Sequence, residues 1–191
     1  NIQHFTFSMS NNEISNSVQL YLSSNKLSEL PSHLFKISNL SVLSVRNNIL
    51  KQIPTDIEKL VNLQEFSVSG NQLQYLPCEI LKLPKLTLLT TSNNPFMTEN
   101  FPKSNFRIPD LQELCLRKLD TNRHEIKPGT PIPIPIQKML KIKSRKCFVC
   151  NEVVVKTFIH EVAIQTVLDN TVPIYFYFCS PNCYHKHKTP N

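Results

Sequence analysis

Leu40, Leu63 and Leu86 stand 23 residues apart, and most of what lies between them repeats at the same interval. Leu20, Leu43, Phe66 and Leu89 fall in register, as do Leu22, Val45, Val68 and Thr91. So do Asn25, Asn48, Asn71 and Asn94, and then Leu27, Leu50, Leu73 and Phe96. Pro31, Pro54 and Pro77 follow, each behind an aliphatic residue: Leu30, Ile53 and Leu76. No single period of this length can bury its own apolar side, so neighbouring periods must stack into a solenoid. Chance periodicity in a leucine-rich chain is the competing reading, and about ten matching columns over three intervals argue against it.

The columns spell L-x-x-L-x-L-x-x-N-x-L, closed by an aliphatic-proline pair and two more aliphatics, which is the pattern of leucine-rich repeats. In the second period Leu43 and Val45 alternate with Ser44 and Arg46, so a short strand turns its aliphatics inward. The turn after the strand has buried backbone groups to satisfy. Asn25, Asn48, Asn71 and Asn94 are placed to do so as a ladder of side-chain hydrogen bonds. Residues 17–39, 40–62 and 63–85 read as full repeats and 86–96 as a partial one. Residues 1–16 read as the tail of an earlier repeat, with Phe7 and Ile14 in register. The first residue is Asn1, with no initiator Met and no apolar secretion segment, so the chain is expected to be a fragment or a processed form.

A solenoid end needs a cap. Residues 108–119 carry Asp110 as a helix cap with Glu113 three positions on, and Leu111, Leu114, Cys115 and Lys118 on one stripe. This helix is expected to cover the last coil, giving a repeat domain over 1–119. Residues 120–146 form a linker. Its Pro128-Gly129-Thr130-Pro131-Ile132-Pro133-Ile134-Pro135 run cannot be helical and should lie extended. A ligand for a proline-binding domain is the alternative reading of that run.

The chain has only two glycines, so phosphate-cradling glycine loops are excluded, and no G-x-S-x-G or H-E-x-x-H occurs. No segment is long and apolar enough to span a membrane. An enzyme is therefore not expected, nor a small-molecule substrate. Charge is uneven: residues 1–96 hold 7 Lys and Arg against 6 Asp and Glu, whereas 97–191 hold 14 against 8. The excess peaks at Lys138, Lys141, Lys143, Arg145 and Lys146, which reads as a solvated linker or as a contact for an acidic surface or nucleic acid.

Four of the six cysteines follow. Cys147 and Cys150 form a Cys-x2-Cys pair, and Cys179 and Cys183 a Cys-x3-Cys pair. Two close pairs on either side of a strand-rich stretch suit tetrahedral zinc. Ser180-Pro181 suits a helix start that would present free N–H groups to the second pair. Strand-like runs fill the interval at Glu152–Ile159 and Val172–Phe178. The expectation is a zinc-ribbon or treble-clef-like module over 147–191, holding one structural Zn2+ through Cys147, Cys150, Cys179 and Cys183. Disulfides and redox chemistry are the alternatives, and His185 or His187 could replace a cysteine. Cys78 and Cys115 read as packing residues. Tyr175, Phe176, Tyr177 and Phe178 are consecutive, so some should face outward, where they would stack bases or pack on the solenoid.

The layout as a whole, with repeats, an Ile-Pro-x-Leu-x-Glu-Leu segment, a proline strap and a Cys-x2-Cys…Phe-Cys-Ser-x-x-Cys ending, resembles a small group of intracellular leucine-rich-repeat-containing proteins with a C-terminal cysteine module. The resemblance covers most of residues 17–185. It implies adaptor or scaffold behaviour, with substrate recruitment to a ubiquitin ligase as one form of it, although no segment reads as a ligase-binding box.

The fold expected is thus an α/β leucine-rich-repeat solenoid with a small C-terminal zinc module. The function expected is non-catalytic binding of a partner protein, in a reducing cytoplasmic or nuclear compartment. The concave sheet face would carry it through Tyr21, Ser44, Arg46, Glu65, Ser67 and Thr90, with Tyr21 and Arg46 as anchors. Nucleic-acid binding by the basic linker and zinc module is the alternative.

Overall fold

A computed structural model describes residues 17–99, 109, 113–115, 117, 145–155 and 158–189. The tail at 1–16, the proline strap and Lys138, Lys141 and Lys143 lie outside the described residues. Strands β1 (Val18–Tyr21), β2 (Leu40–Ser44), β3 (Glu65–Ser67) and β5 (Leu88–Thr90) form one parallel sheet in that order. The two-residue strand β4 (Leu76–Pro77) lies in the chain between β3 and β5. The sheet register follows the sequence period: Leu20 faces Leu43, Leu43 faces Phe66, and Phe66 faces Leu89. Opposite the sheet each coil carries one 3-10 helix: Ser32–Lys36, Thr55–Lys59 and Cys78–Lys82. Each begins just after a proline, Pro31, Pro54 or Pro77, whose fixed φ sets the chain for the turn and whose missing N–H is not needed there. Leu40, Leu43, Val45, Leu50, Ile57, Leu60 and Leu63 all have no exposed surface. Cutting one of them to Ala costs roughly 2–5 kcal/mol, so the stacked aliphatics supply the bulk of the stability.

The asparagine column binds coil to coil. Asn48 Oδ1 accepts from Leu27 N–H at 3.0 Å, while its Nδ2 donates to Leu22 O in the coil before and to Val45 O in its own, at 2.9 and 3.0 Å. Asn71 does the same with Leu50 N–H, Val45 O and Val68 O, and Asn94 with Leu73 N–H, Val68 O and Thr91 O. Directly before each ladder residue the backbone turns left-handed, at Ser24 (φ 58°), Asn47 (54°), Gly70 (68°) and Asn93 (57°). Asn and Gly tolerate this region. Gly70 is also closely packed, since a Cβ there would sit 2.3 Å from Asn47 Oδ1.

The repeat unit also includes Val162–Tyr175. These residues are the end of a hairpin made by β8 (Ile159–Val167) and β9 (Asn170–Phe178), turned at Leu168 with φ 52°. Asn170 Nδ2 donates to Leu89 O at 2.7 Å, and its Oδ1 accepts from the Thr91 hydroxyl at 3.0 Å. It thus meets the open edge of the last strand, β5, where another coil would otherwise bond. β9 runs parallel to β4, with Ile174 opposite Leu76 and Tyr175 opposite Pro77.

The second unit contains residues 145–161 and 176–189 together with the helical residues Glu113–Cys115 and Arg117. Of the stripe expected of that helix, Leu111 and Lys118 lie outside the described residues, and the other two are not buried. Leu114 is 48% exposed and Cys115 is exposed, whereas Glu113 and Arg117 are buried. The cause is a backbone group in need of a partner: Glu113 Oε1 accepts from Val155 N–H at 3.0 Å and from Arg117 Nε at 3.1 Å. Strand structure also falls differently from the expected runs. β6 (Arg145–Lys146) and β7 (Val153–Val154) form an antiparallel pair, and the long strand begins only at Ile159. Helix α1 (Pro181–Lys188) closes the chain.

Asn71→Ala leaves a buried N–H and two buried carbonyls short of a partner, so it should lower unfolding free energy by roughly 2–4 kcal/mol in urea titration. Asn25, half-exposed at the first coil, should cost about 1 kcal/mol or less on the same change, because water replaces its bonds.

Candidate functional site

Cys147 leaves strand β6 and enters a tight turn. Its N–H donates to Glu152 O, and its own carbonyl accepts from Asn151 N–H, both at 2.9 Å. Asn151 takes a left-handed φ of 60°, which brings the chain round so that Cys150 faces Cys147. Phe148 N–H donates to Tyr177 O at 2.8 Å and ties this turn to β9. Cys179 follows directly on β9. Ser180 then caps α1, its hydroxyl accepting from Cys183 N–H at 3.3 Å, and Pro181 occupies the first helical turn. Each of the four cysteines is therefore set by a local turn or cap.

The four sulfurs all lie within 4.8 Å of one another. Cys150 Sγ is 3.5 Å from Cys179 Sγ, which is 3.6 Å from Cys183 Sγ. A disulfide needs about 2.05 Å, and all six described cysteines are free thiols. Burial pushes the Cys147 thiol up, but N–H groups of Cys150, Cys179 and Val149 point at its sulfur and bring the net shift below the ordinary value. Burial pushes Cys150 up, and burial with the neighbouring Cys150 sulfur pushes Cys179 far up. The set can hold a metal ion, with the backbone N–H groups at Cys147 already oriented to a thiolate.

The histidines stand outside this set. His187 lies against the rings of Phe148, Phe176 and Phe178, with centroids 4.7 to 5.4 Å away, and burial lowers its pKa. His185 is exposed in α1. The aromatic run offers no stacking platform either. Phe176, Tyr177 and Phe178 are buried, and Arg145 lies 4.9 Å over Tyr177 and 5.4 Å over Phe158. Tyr175 packs its ring 4.7 Å from Tyr75. β9 is buried on both faces, so alternation does not bring its aromatics to solvent.

The six residues expected on the concave face are placed unequally. Tyr21 is 66% exposed, with its hydroxyl donating to Gln19 Oε1 at 3.1 Å, and Arg46 and Glu65 are exposed. Ser67 and Thr90 are half-buried and bond to each other across coils. Ser44 is buried, and its hydroxyl pairs with that of Ser23 at 2.8 Å. Ser44 is thus a strut of the sheet and not a contact, because a cross-coil hydroxyl bond takes it out of reach. Sequence reasoning passed over these hydroxyl pairs, although their partners recur 21 to 23 residues apart.

A family model described as leucine rich repeat matches residues 16–73. The chain contains leucine-rich repeats. Among solved structures 24 chains match. One is a leucine-rich-repeat protein from Leptospira interrogans, 39% identical over 42% of this chain and 20% of its own, with a TM-score of 0.41. This chain thus spans a fifth of that protein's length. No curated protein matches. Proteins built on these repeats generally mediate protein–protein interaction, and among the described residues no helix is long and apolar enough to cross a membrane.

Metal binding needs deprotonated sulfur, while burial keeps Cys150 and Cys179 protonated in the metal-free protein. Binding must then release protons. Affinity should rise with pH and fall by more than about tenfold per unit as the solution is acidified from neutrality. Competition with a chromophoric chelator across pH measures this, and a flat profile contradicts it.

Proposed function

We propose that this protein is a non-catalytic adaptor that captures a partner protein on the concave face of its repeats, while one zinc ion holds its C-terminal residues in shape. The observation that carries the reading is the exposed pair Tyr21 and Arg46 on the outward-facing side of the strands. Large exposed aromatic and guanidinium groups are the side chains that dominate protein interfaces. Glu65 is also exposed, and Ser67 and Thr90 contribute half-buried hydroxyls. Ser44 works indirectly, by fixing Ser23.

Zinc is the ion best suited to Cys147, Cys150, Cys179 and Cys183. Four sulfurs at about 2.3 Å from a tetrahedral centre lie about 3.8 Å from one another, close to the 3.5 and 3.6 Å separations here. An all-cysteine site leaves no position for water or substrate, so the ion's role is structural: it cross-links the turn after β6 to the start of α1. Free thiols fit a reducing compartment, cytoplasmic or nuclear.

The double variant Tyr21→Ala, Arg46→Ala tests the interface. The immobilised wild-type chain should retain a set of proteins from a lysate, identified by mass spectrometry. The variant should retain that set at least about tenfold less, with its melting temperature unchanged. Equal retention by both removes the concave face as the binding surface.

A further inference from the structure

A groove of about 510 Å³ opens on the repeats away from the strands, beyond the asparagine column, lined by Lys51, Gln52, Gln72, Gln74, Tyr75 and Pro95. Its volume falls within the roughly 300–1,000 Å³ of small-ligand sites. The lining recurs with the coils. Lys51 and Gln74 are 23 residues apart, as are Gln52 and Tyr75, and Gln72 and Pro95. Lys51, Gln52, Gln72 and Gln74 are exposed, and among the described residues none of these side chains has a hydrogen-bond or ion-pair partner. Among the described residues no carboxylate lines the groove, and Tyr75 is held there against Tyr175 at 4.7 Å.

We propose that this groove binds a short β-1,4-linked oligosaccharide. Each primary amide offers both donor and acceptor, and the ammonium adds donors, which is the complement of a hydroxyl-rich neutral ligand. A tyrosine at the wall supplies an apolar surface with a polar tip, suited to the C–H face of a pyranose ring. The spacing selects among polymers. Neighbouring coils lie about 4.8 Å apart, as adjacent strands do, whereas an extended peptide repeats about every 3.4 Å and drifts out of phase. A β-1,4-linked pyranose chain advances per ring by close to the coil spacing and carries equatorial hydroxyls along both edges. Two or three rings would meet successive coils in register. A nucleic acid is disfavoured, because among the described residues Lys51 is the one cation of the lining and cannot match a run of phosphates.

The test is calorimetric titration of the full chain with cellotriose, chitotriose and maltotriose. Saturable binding of cellotriose or chitotriose is expected, with the α-linked, curved maltotriose at least about tenfold weaker. Gln74→Ala and Lys51→Ala, both surface changes that leave the melt unaltered, should each weaken binding by several-fold. No saturable binding by either β-linked trisaccharide overturns the proposal. So does maltotriose binding as well as they do, or binding that survives both substitutions undiminished.

Discussion

Every coil of the solenoid turns its chain through a buried corner, and at that corner backbone N–H and C=O groups have neither strand nor helix to pair with. The asparagine side chain resolves this, because a single amide gives one acceptor and two donors at fixed spacing. Asn71 spans two coils at once, reaching Val45 O in one and Val68 O in the other. The bond requires the backbone just before it to turn left-handed, which explains why Ser24, Asn47, Gly70 and Asn93 occupy one column. The aliphatic columns supply the larger share of the stability, but they are non-directional. The amides fix which coil stands on which, and so fix the sheet face and the flank groove that the coils present.

The C-terminal residues solve the problem of small size differently. Their apolar side chains are buried in a short stretch, and several of these, Phe176 and Phe178 among them, crowd around His187. Four thiols within 4.8 Å of one another are a poor arrangement on their own, with burial raising Cys150 and Cys179. A divalent cation held by the same four sulfurs would turn them into a cross-link. Glu113 shows the same economy of buried polarity, serving Val155 N–H and Arg117 together.

Much of the repeat fold is legible in the chain because each coil asks for the same side chain at the same place, so its demands recur every 23 residues. The two cysteine pairs are legible for a related reason: turns that bring sulfurs together are short and local. What is not legible depends on distant partners. The burial of Glu113 follows from Val155, 42 residues on, and nothing in residues 108–119 announces it. Asn170 meets Leu89 across 81 residues, so the sequence offers no hint that a hairpin end borders the last coil. The buried run Phe176–Phe178 reads as an alternating strand only if one assumes one wet face, and this strand has none. Ser44 looks outward by alternation, yet a bond to Ser23 in the preceding coil removes it from the surface.

The most direct test of the account is X-ray absorption at the zinc edge on the purified full chain. The account predicts one zinc per chain surrounded by four sulfurs at about 2.3 Å, with no nitrogen or oxygen in the shell. A protein that binds no zinc, or a shell in which nitrogen or oxygen replaces sulfur, would contradict it.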